Sequence, residues 1–468
     1  MGKRILFIAL LIGITFNLKA EGYRISVKWE GLMDTSVYLA HYFDTKIYIN
    51  DTVRLDNKGK GVFSGEKKLH EGLYVLYLNE KTYFDFLLGT DQDLVISTDN
   101  SDLLKSLKIE KAEESELFLK YQGLLKEKGA EKKELDALYQ KSDDSAKHEI
   151  QKKIDGIDQQ VEGYITSGSE KFPGTMYSLF LKMSDPVKVP DPGYKKGEPQ
   201  YDSLVWFYYY NFNRDHFLDH IDFSDDRILY TPLLTQKLDT YFNRTLLQTP
   251  DSIIPYAFRV INRAKKNPTV FQYVTQYLLN SSLQSKVMGM DALFVSVADS
   301  IYLKGKATWA DTTTLNKIAK EAYLSRFNLI GKKAPEFVVQ NIDDEYESLY
   351  QLQGNYTVLV FWEPSCGHCK KEIPELYQKV YLKYLDQNID YFAVNIDDDK
   401  KEWTDFVEKN QLLGWHHVWD PTNQSMCRVK YNVQNTPLIY LLDKDKKIIA
   451  KRIDSATLIK LLDTLLKK

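Results

Sequence analysis

The chain has 468 residues, 43% hydrophobic and 27% charged, the balance of a soluble globular protein; at about 150 residues per domain it is long enough for about three domains. A net charge of −3 gives no global field that would favour nucleic acid or an anionic membrane. Only three cysteines occur, Cys366, Cys369 and Cys427, which excludes a small disulfide scaffold.

Lys3 and Arg4 form a positive start, Ile5 to Phe16 is apolar, and Leu18-Lys19-Ala20 resembles a small-residue cleavage site. Residues 1–20 therefore read as a secretory signal peptide, and the expected location is the periplasm or cell envelope. The competing reading is a membrane anchor, but a spanning helix needs about 20 apolar residues. No cysteine follows the apolar run, so lipid attachment there is excluded. No later segment is apolar and long enough to span a membrane, so no transmembrane span is expected after cleavage.

Residues 21–110 read as an all-β, sandwich-like domain. Arg24–Trp29 alternates polar and apolar side chains, and short runs follow at Ser36–Ala40, Lys46–Asn50, Val62–Phe63, Gly72–Leu78, Tyr83–Leu87 and Leu94–Ile96. Asn57–Gly61 is a turn signal between two of them. Residues 111–328 read as an all-α region. Ile150, Ile154, Ile157, Val161 and Ile165 line one helical face. Gly129 and Ser142–Ser145 interrupt this pattern, which predicts two helices in an antiparallel pair. Pro186, Pro190, Pro192 and Pro199 mark a loop. Leu204–Phe212 is rich in aromatic residues, and helices are expected over Leu233–Leu247, Ile254–Ala264, Thr269–Leu279, Met290–Tyr302 and Thr312–Phe327. His216 and His220 could share one helix face as metal ligands, but two ligands do not make a site and no HExxH pattern is present. Surface histidines at a helix edge are the plainer reading.

Residues 329–468 read as an α/β domain. Tyr356–Trp362 is a buried parallel strand by its apolar run, Glu363-Pro364-Ser365 breaks it, and Cys366 opens a helical segment. A cysteine at a helix N-terminus has its thiolate stabilised by the helix dipole and free amides. Cys369, one turn on, can resolve a mixed disulfide. The pair could instead be half of a zinc site, but no second CxxC and no His pair at finger spacing follow. Ile389–Asn395 reads as a strand, Trp403–Lys409 as a helix, Leu438–Leu442 and Lys447–Ala450 as a hairpin, and Ser455–Leu466 as a closing helix.

The run Trp362-Glu363-Pro364-Ser365-Cys366-Gly367-His368-Cys369-Lys370-Lys371-Glu372-Ile373-Pro374, followed by Thr436-Pro437, closely resembles the TlpA-like branch of exported bacterial thioredoxins. That resemblance implies a thioredoxin fold and thiol–disulfide exchange. Cys366 would be the exposed nucleophile and Cys369 the buried resolving thiol. Pro437 would be a cis-proline facing the disulfide, with Thr436 offering backbone pairing to substrate. Pro374 would kink the helix, and Trp362 stands with these as a supporting residue. Glu372 would assist proton transfer; the bland alternative is a first-turn glutamate that offsets the dipole. Many thioredoxins carry a buried aspartate where this chain has Val360, so Glu372 or water must take that role. His368, cationic when protonated, would favour the Cys366 thiolate and raise the reduction potential; Cys-Gly-His-Cys is also the motif of protein disulfide isomerases. Cys427 reads as a buried small hydrophobe, with a regulatory thiol as the alternative. The segment around Asp85-Phe86-Leu87 and the run Phe217–Arg227 resemble uncharacterised domains fused to TlpA-like thioredoxins in exported Bacteroidetes proteins, a match that implies no chemistry.

The expected function is exported thiol–disulfide oxidoreductase. Its expected partners are protein thiols and disulfides and an upstream membrane redox partner. No cofactor is expected beyond the Cys366–Cys369 disulfide, no metal and no nucleic acid. Two other functions compete. A thiol peroxidase would need Pro-x-x-x-Thr/Ser-x-x-Cys, but Leu359 and Glu363 occupy those positions. An envelope binding or scaffold protein would use the redox domain only as an auxiliary. The resemblance points to a reductant, while His368 points towards an isomerase or oxidant.

Overall fold

The structure, a computed structural model, describes residues 22–467. The expected signal peptide, residues 1–20, lies outside the described residues. The chain divides into two compact units, Met1–Thr245 and Leu246–Lys468, so the helices between residues 111 and 328 contribute to both.

The first unit begins with eight strands: β1 (Tyr23–Glu30), β2 (Ser36–Phe43), β3 (Lys46–Arg54), β4 (Lys60–Gly65), β5 (Gly72–Asn79), β6 (Thr82–Leu88), β7 (Asp93–Asp99) and β8 (Lys108–Glu110). They form two four-stranded sheets, β4-β1-β7-β8 and β3-β2-β5-β6. In β1 the side chains of Ile25, Val27 and Trp29 are buried while Arg24 and Lys28 are exposed, as the period of two requires. Those three meet Val37, Leu39, Leu76, Phe84 and Phe86 of the other sheet in one core, which makes the domain a sandwich. Gly59 sits in the turn before β4 with φ +71°, where a Cβ would lie 2.2 Å from the Trp29 carbonyl oxygen.

Two long helices follow, Glu113–Tyr139 and Asp144–Lys171. The break expected at Gly129 does not occur. A Cβ at Gly129 would meet nothing within 4 Å, so the position is open surface, and one glycine costs a long helix only about 1 kcal/mol. The break falls after Tyr139, where the Asp143 side chain caps the next helix by accepting from the Ala146 N–H at 2.9 Å. Beyond the helix Met176–Ser184 the proline-rich stretch is a loop, and the aromatic-rich helix Tyr201–His216 buries none of its residues. The turn Asp226–Tyr230 ties the helical part to the sandwich. Arg227 Nη1 donates to Glu71 Oε2 at 2.6 Å, and Tyr230 stacks on His70 with ring centroids 4.6 Å apart.

In the second unit the helices Pro250–Ala264 and Pro268–Gln284 each start on a proline, which suits the first helical position because its missing N–H would have no intrahelical partner. Asp291–Val297 runs on into the wider turn Ala298–Tyr302, and Thr312–Arg326 leads to the sheet. Seven strands follow: β9 (Val338–Asn341), β10 (Tyr346–Ser348), β11 (Tyr356–Trp362), β12 (Ile389–Asn395), β13 (His416–Trp419), β14 (Leu438–Asp443) and β15 (Ile448–Lys451), in the order β10-β9-β13-β12-β11-β14-β15. β11 pairs parallel with β12 and antiparallel with β14. Both faces of β11 are covered, which is why its sequence is a continuous apolar run. Val358, Val360 and Trp362 pack on the face that carries Cys369, Ile373 and Leu458. Leu359 and Phe361 pack on the other face, with Phe337, Tyr431 and Cys427. Within this unit the buried Lys451 ammonium pairs with Asp291 and donates to Asn328 Oδ1 at 2.8 Å and to the Asn328 carbonyl at 2.7 Å.

Candidate active site

β11 delivers the chain to the site from the centre of the sheet, and the Glu363-Pro364-Ser365 turn follows. Cys366 is the N-cap of the helix Gly367–Leu376, and its carbonyl accepts the Lys370 N–H at 3.1 Å. Pro374 lies inside this helix, which continues as a wider turn over Tyr377–Tyr381. Cys366, Cys369 and Cys427 are all free thiols.

Cys366 is half-buried and Cys369 is fully buried. The Thr436–Pro437 peptide bond is cis, and the Cys366 thiol reaches the Thr436 carbonyl at 3.5 Å. Burial pushes the Cys366 thiol up, but hydrogen bonds from Thr436 and from the Cys369 and His368 backbone outweigh it, and the net shift is below the ordinary value. Burial pushes Cys369 up to about 12 despite hydrogen bonds from the Glu363 backbone and Thr436. Iodoacetamide near neutral pH is therefore expected to alkylate Cys366 and to spare Cys369 and Cys427 until the protein is unfolded. Peptide mapping checks this, and labelling of Cys369 first would contradict the assignment.

The other residues singled out from the sequence fall as follows. Trp362 is fully buried beside Phe406, with ring centroids 5.1 Å apart. His368 is exposed on the first helical turn, where its backbone N–H is among the groups acting on Cys366. Val360 is buried in the cluster that holds Cys369. Glu372 Oε1 accepts the Ser455 N–H at 2.8 Å and the Ser455 hydroxyl at 2.7 Å, at the start of the closing helix Ser455–Leu465. Cys427 lies on the opposite face of the sheet from Cys369, and burial pushes its thiol up to about 12. His216 and His220 are not brought together on a ligand: His216 Nδ1 lies 2.7 Å from Asp219 Oδ2, and His220 Nδ1 lies 3.2 Å from the Asp185 carbonyl oxygen. Among the described residues no group of three or more His, Cys, Asp or Glu side chains is placed to hold a metal ion.

Glu363 and Asp397 were not anticipated as site residues. Glu363 Oε1 accepts the Thr436 hydroxyl at 2.7 Å, and Asp397 Oδ2 accepts the Ser365 hydroxyl at 2.6 Å. The only sequence signal for Glu363 is a carboxylate in the turn between strand and nucleophile.

A central strand that hands a dithiol to a helix N-terminus, opposite a cis-proline, places the C-terminal region among proteins of the thioredoxin fold. Residues 330–451 match the AhpC/TSA family model, and residues 23–118 match a Domain of unknown function (DUF4369). The thiol-disulfide oxidoreductase ResA of Bacillus cereus is 30% identical over 128 residues, which cover 27% of this chain and 72% of that protein. The chain belongs to this family of ResA- and TlpA-like thiol–disulfide oxidoreductases. Among solved structures, a domain of a possible thiol-disulfide isomerase from Cytophaga hutchinsonii is similar at 39% identity, covering 30% of this chain and 94% of that one, with a TM-score of 0.28. A thioredoxin-like protein from Bacteroides caccae is similar at 19% identity, covering 60% and 98%, with a TM-score of 0.45.

Proposed function

We propose that this oxidoreductase acts outside the cytoplasm on protein disulfides, through a mixed disulfide at Cys366 that Cys369 resolves. The observation that carries the reading is the inequality of the two thiols: one half-buried and acidified, the other buried and held as a thiol near neutral pH. The Cys366 thiolate attacks a substrate disulfide. A Cys366–substrate bond forms, the substrate S–S bond breaks, and one substrate sulfur leaves as a thiolate that takes a proton from water. Cys369, once deprotonated, attacks Cys366 Sγ and expels the second substrate sulfur. The substrate gains two electrons and the enzyme loses two to the Cys366–Cys369 disulfide. An upstream membrane redox partner would return them, and no bound cofactor is required. Thr436 offers backbone pairing to the substrate beside Pro437. The Lys3-Arg4 start and the apolar run Ile5–Phe16 support export. No helix among the described residues is long and apolar enough to cross a membrane.

Equilibration of the pair with glutathione tests the redox assignment. A midpoint above that of thioredoxin, about −270 mV, is expected because His368 and the helix N-terminus favour the Cys366 thiolate and so the reduced form. A midpoint below that value removes His368 from the argument. The reduced protein is also expected to reduce insulin disulfides; rapid peroxide turnover without disulfide reduction would replace this reading with a thiol peroxidase.

A further inference from the structure

The pairing of β14 with β11 stops just short of the nucleophile. Its last partners are Phe361 and Leu438, and Pro437, next on the β14 side, has no N–H to give. Carried on for two residues, the same antiparallel register sets Glu363 opposite Thr436. Among the described residues, neither the Thr436 N–H nor its carbonyl has a backbone partner. A side-chain bond stands in place of the ladder. The Thr436 hydroxyl donates to Glu363 Oε1 at 2.7 Å, a contact that directly opposite residues can make. The Thr436 carbonyl faces Cys366 Sγ at 3.5 Å. A peptide group with its N–H and carbonyl open to a strand partner thus lies beside the reacting sulfur, and the Glu363 carboxylate ties it to the β11 side. The nucleophile has fastenings of its own. Ser365 Oγ donates to Asp397 Oδ2 at 2.6 Å, and the Cys366 carbonyl accepts the Lys370 N–H at 3.1 Å.

We propose that Glu363 is a positioning residue that holds the Thr436 peptide group as a docking edge for substrate backbone, so that the site prefers cystines carried in extended polypeptide over small disulfides. The proposal rests on the mixed-disulfide reading and names the substrate class of that same site. An extended segment that pairs with an open strand edge gains main-chain hydrogen bonds. With Thr436 already fixed, only the substrate has to be ordered, and its sulfur is brought to Cys366 in register. A small disulfide has no backbone to pair and gains nothing from the edge. The Glu363 carboxylate acts through Thr436, and Thr436 is the residue that meets the substrate.

The test uses the reduced full chain and two chromogenic substrates that share one reacting bond. One is a Thr- and Val-rich peptide whose cysteine is joined by a disulfide to thionitrobenzoate. The other is N-acetylcysteine amide joined to the same group. In both, the Cys366 thiolate attacks the cysteine sulfur, a Cys366–cysteine disulfide forms, and coloured thionitrobenzoate leaves as a thiolate. The wild-type protein is expected to react about tenfold faster with the peptide, and N-methylation of the amides flanking its cysteine to remove that preference. Glu363→Ala and Thr436→Val are each expected to bring the ratio of the two rates towards one. Glu363→Gln, which keeps an acceptor, and Thr436→Ser, which keeps the donor, retain most of it. Thr436→Val and the N-methylated peptide keep the test decisive if Glu363→Ala does not fold. A wild-type ratio of one, an unchanged ratio in Glu363→Ala, or a loss in Glu363→Gln as large as in Glu363→Ala overturns the proposal. Release of thionitrobenzoate from neither substrate by the wild-type protein refutes the oxidoreductase reading instead.

Discussion

Replacement of Cys369 by Ser is expected to leave substrate proteins held on Cys366 as stable mixed disulfides, whereas Cys366→Ser captures none. The difference follows from position. Cys366 stands at the helix N-terminus with its thiolate favoured by hydrogen bonds from Thr436 and from the Cys369 and His368 backbone, and its attack does not need Cys369 as a nucleophile. A serine hydroxyl at position 369 cannot expel the substrate sulfur, so the adduct persists. Cys427 cannot take over, because it sits on the other face of the sheet. Non-reducing electrophoresis of cells expressing each variant, with and without dithiothreitol, reads the result directly. Failure of Cys369→Ser to form any adduct would shift the weight to the N-terminal two-thirds as a binding or scaffold module.

Asp291→Ala is expected to destabilise the Leu246–Lys468 unit by about 3–5 kcal/mol, the cost typical of leaving a buried charge without its partner. The Lys451 side chain is only 3% exposed, and Asp291 at 21% is its one carboxylate contact among the described ion pairs. Burial already holds the Lys451 ammonium below the ordinary lysine value, with Asp291 opposing that shift. Without Asp291 the folded-state value falls further, while the unfolded value stays ordinary. Between the two values the unfolded chain binds more protons, so stability rises with pH across that window. The loss is therefore greatest near neutral pH and eases towards alkaline pH. Lys451→Met, which removes the buried charge and leaves Asp291 its partial access to water, is expected to cost less. Urea unfolding of the three proteins near neutral pH and near pH ~9 separates these effects; equal losses at both pH values would contradict the assignment.

The parts of the fold that were legible in the sequence are those whose signal is local. Tyr356–Trp362 could be read because both faces of that strand are buried, so no charged residue interrupts it and its one small polar side chain, Thr357, is itself buried. Ile150, Ile154 and Ile157 could be read because a helix returns each to the same buried face. The strands Val338–Asn341, Tyr346–Ser348 and His416–Trp419 were not anticipated: they are short, and their sequences carry polar residues at alternate or adjacent positions. Gly129 misled because a glycine signals a break only where the backbone needs one. At the site, the cysteines and Thr436-Pro437 were visible as a motif, while Glu363 was not. Its carboxylate is tied to the site only by meeting Thr436, a residue 73 positions on, and that meeting is a product of sheet order. The Glu372–Ser455 contact, across 83 positions, was hidden for the same reason.

The parallel pairing of β1 with β7 bears on the order in which the protein can assemble. Strand β1, the earliest described segment, is interior to its sheet, with Ile25 opposite Leu94 on one side and Phe63 on the other. A chain emerging from its N-terminus cannot complete that sheet until β7 has also emerged. Closing so distant a contact is entropically slow. Until then Ile25, Val27 and Trp29 have no finished core to enter. The N-terminal sandwich thus depends on protection of its first strand during the interval, and it is the segment from which aggregation of a newly made chain would begin.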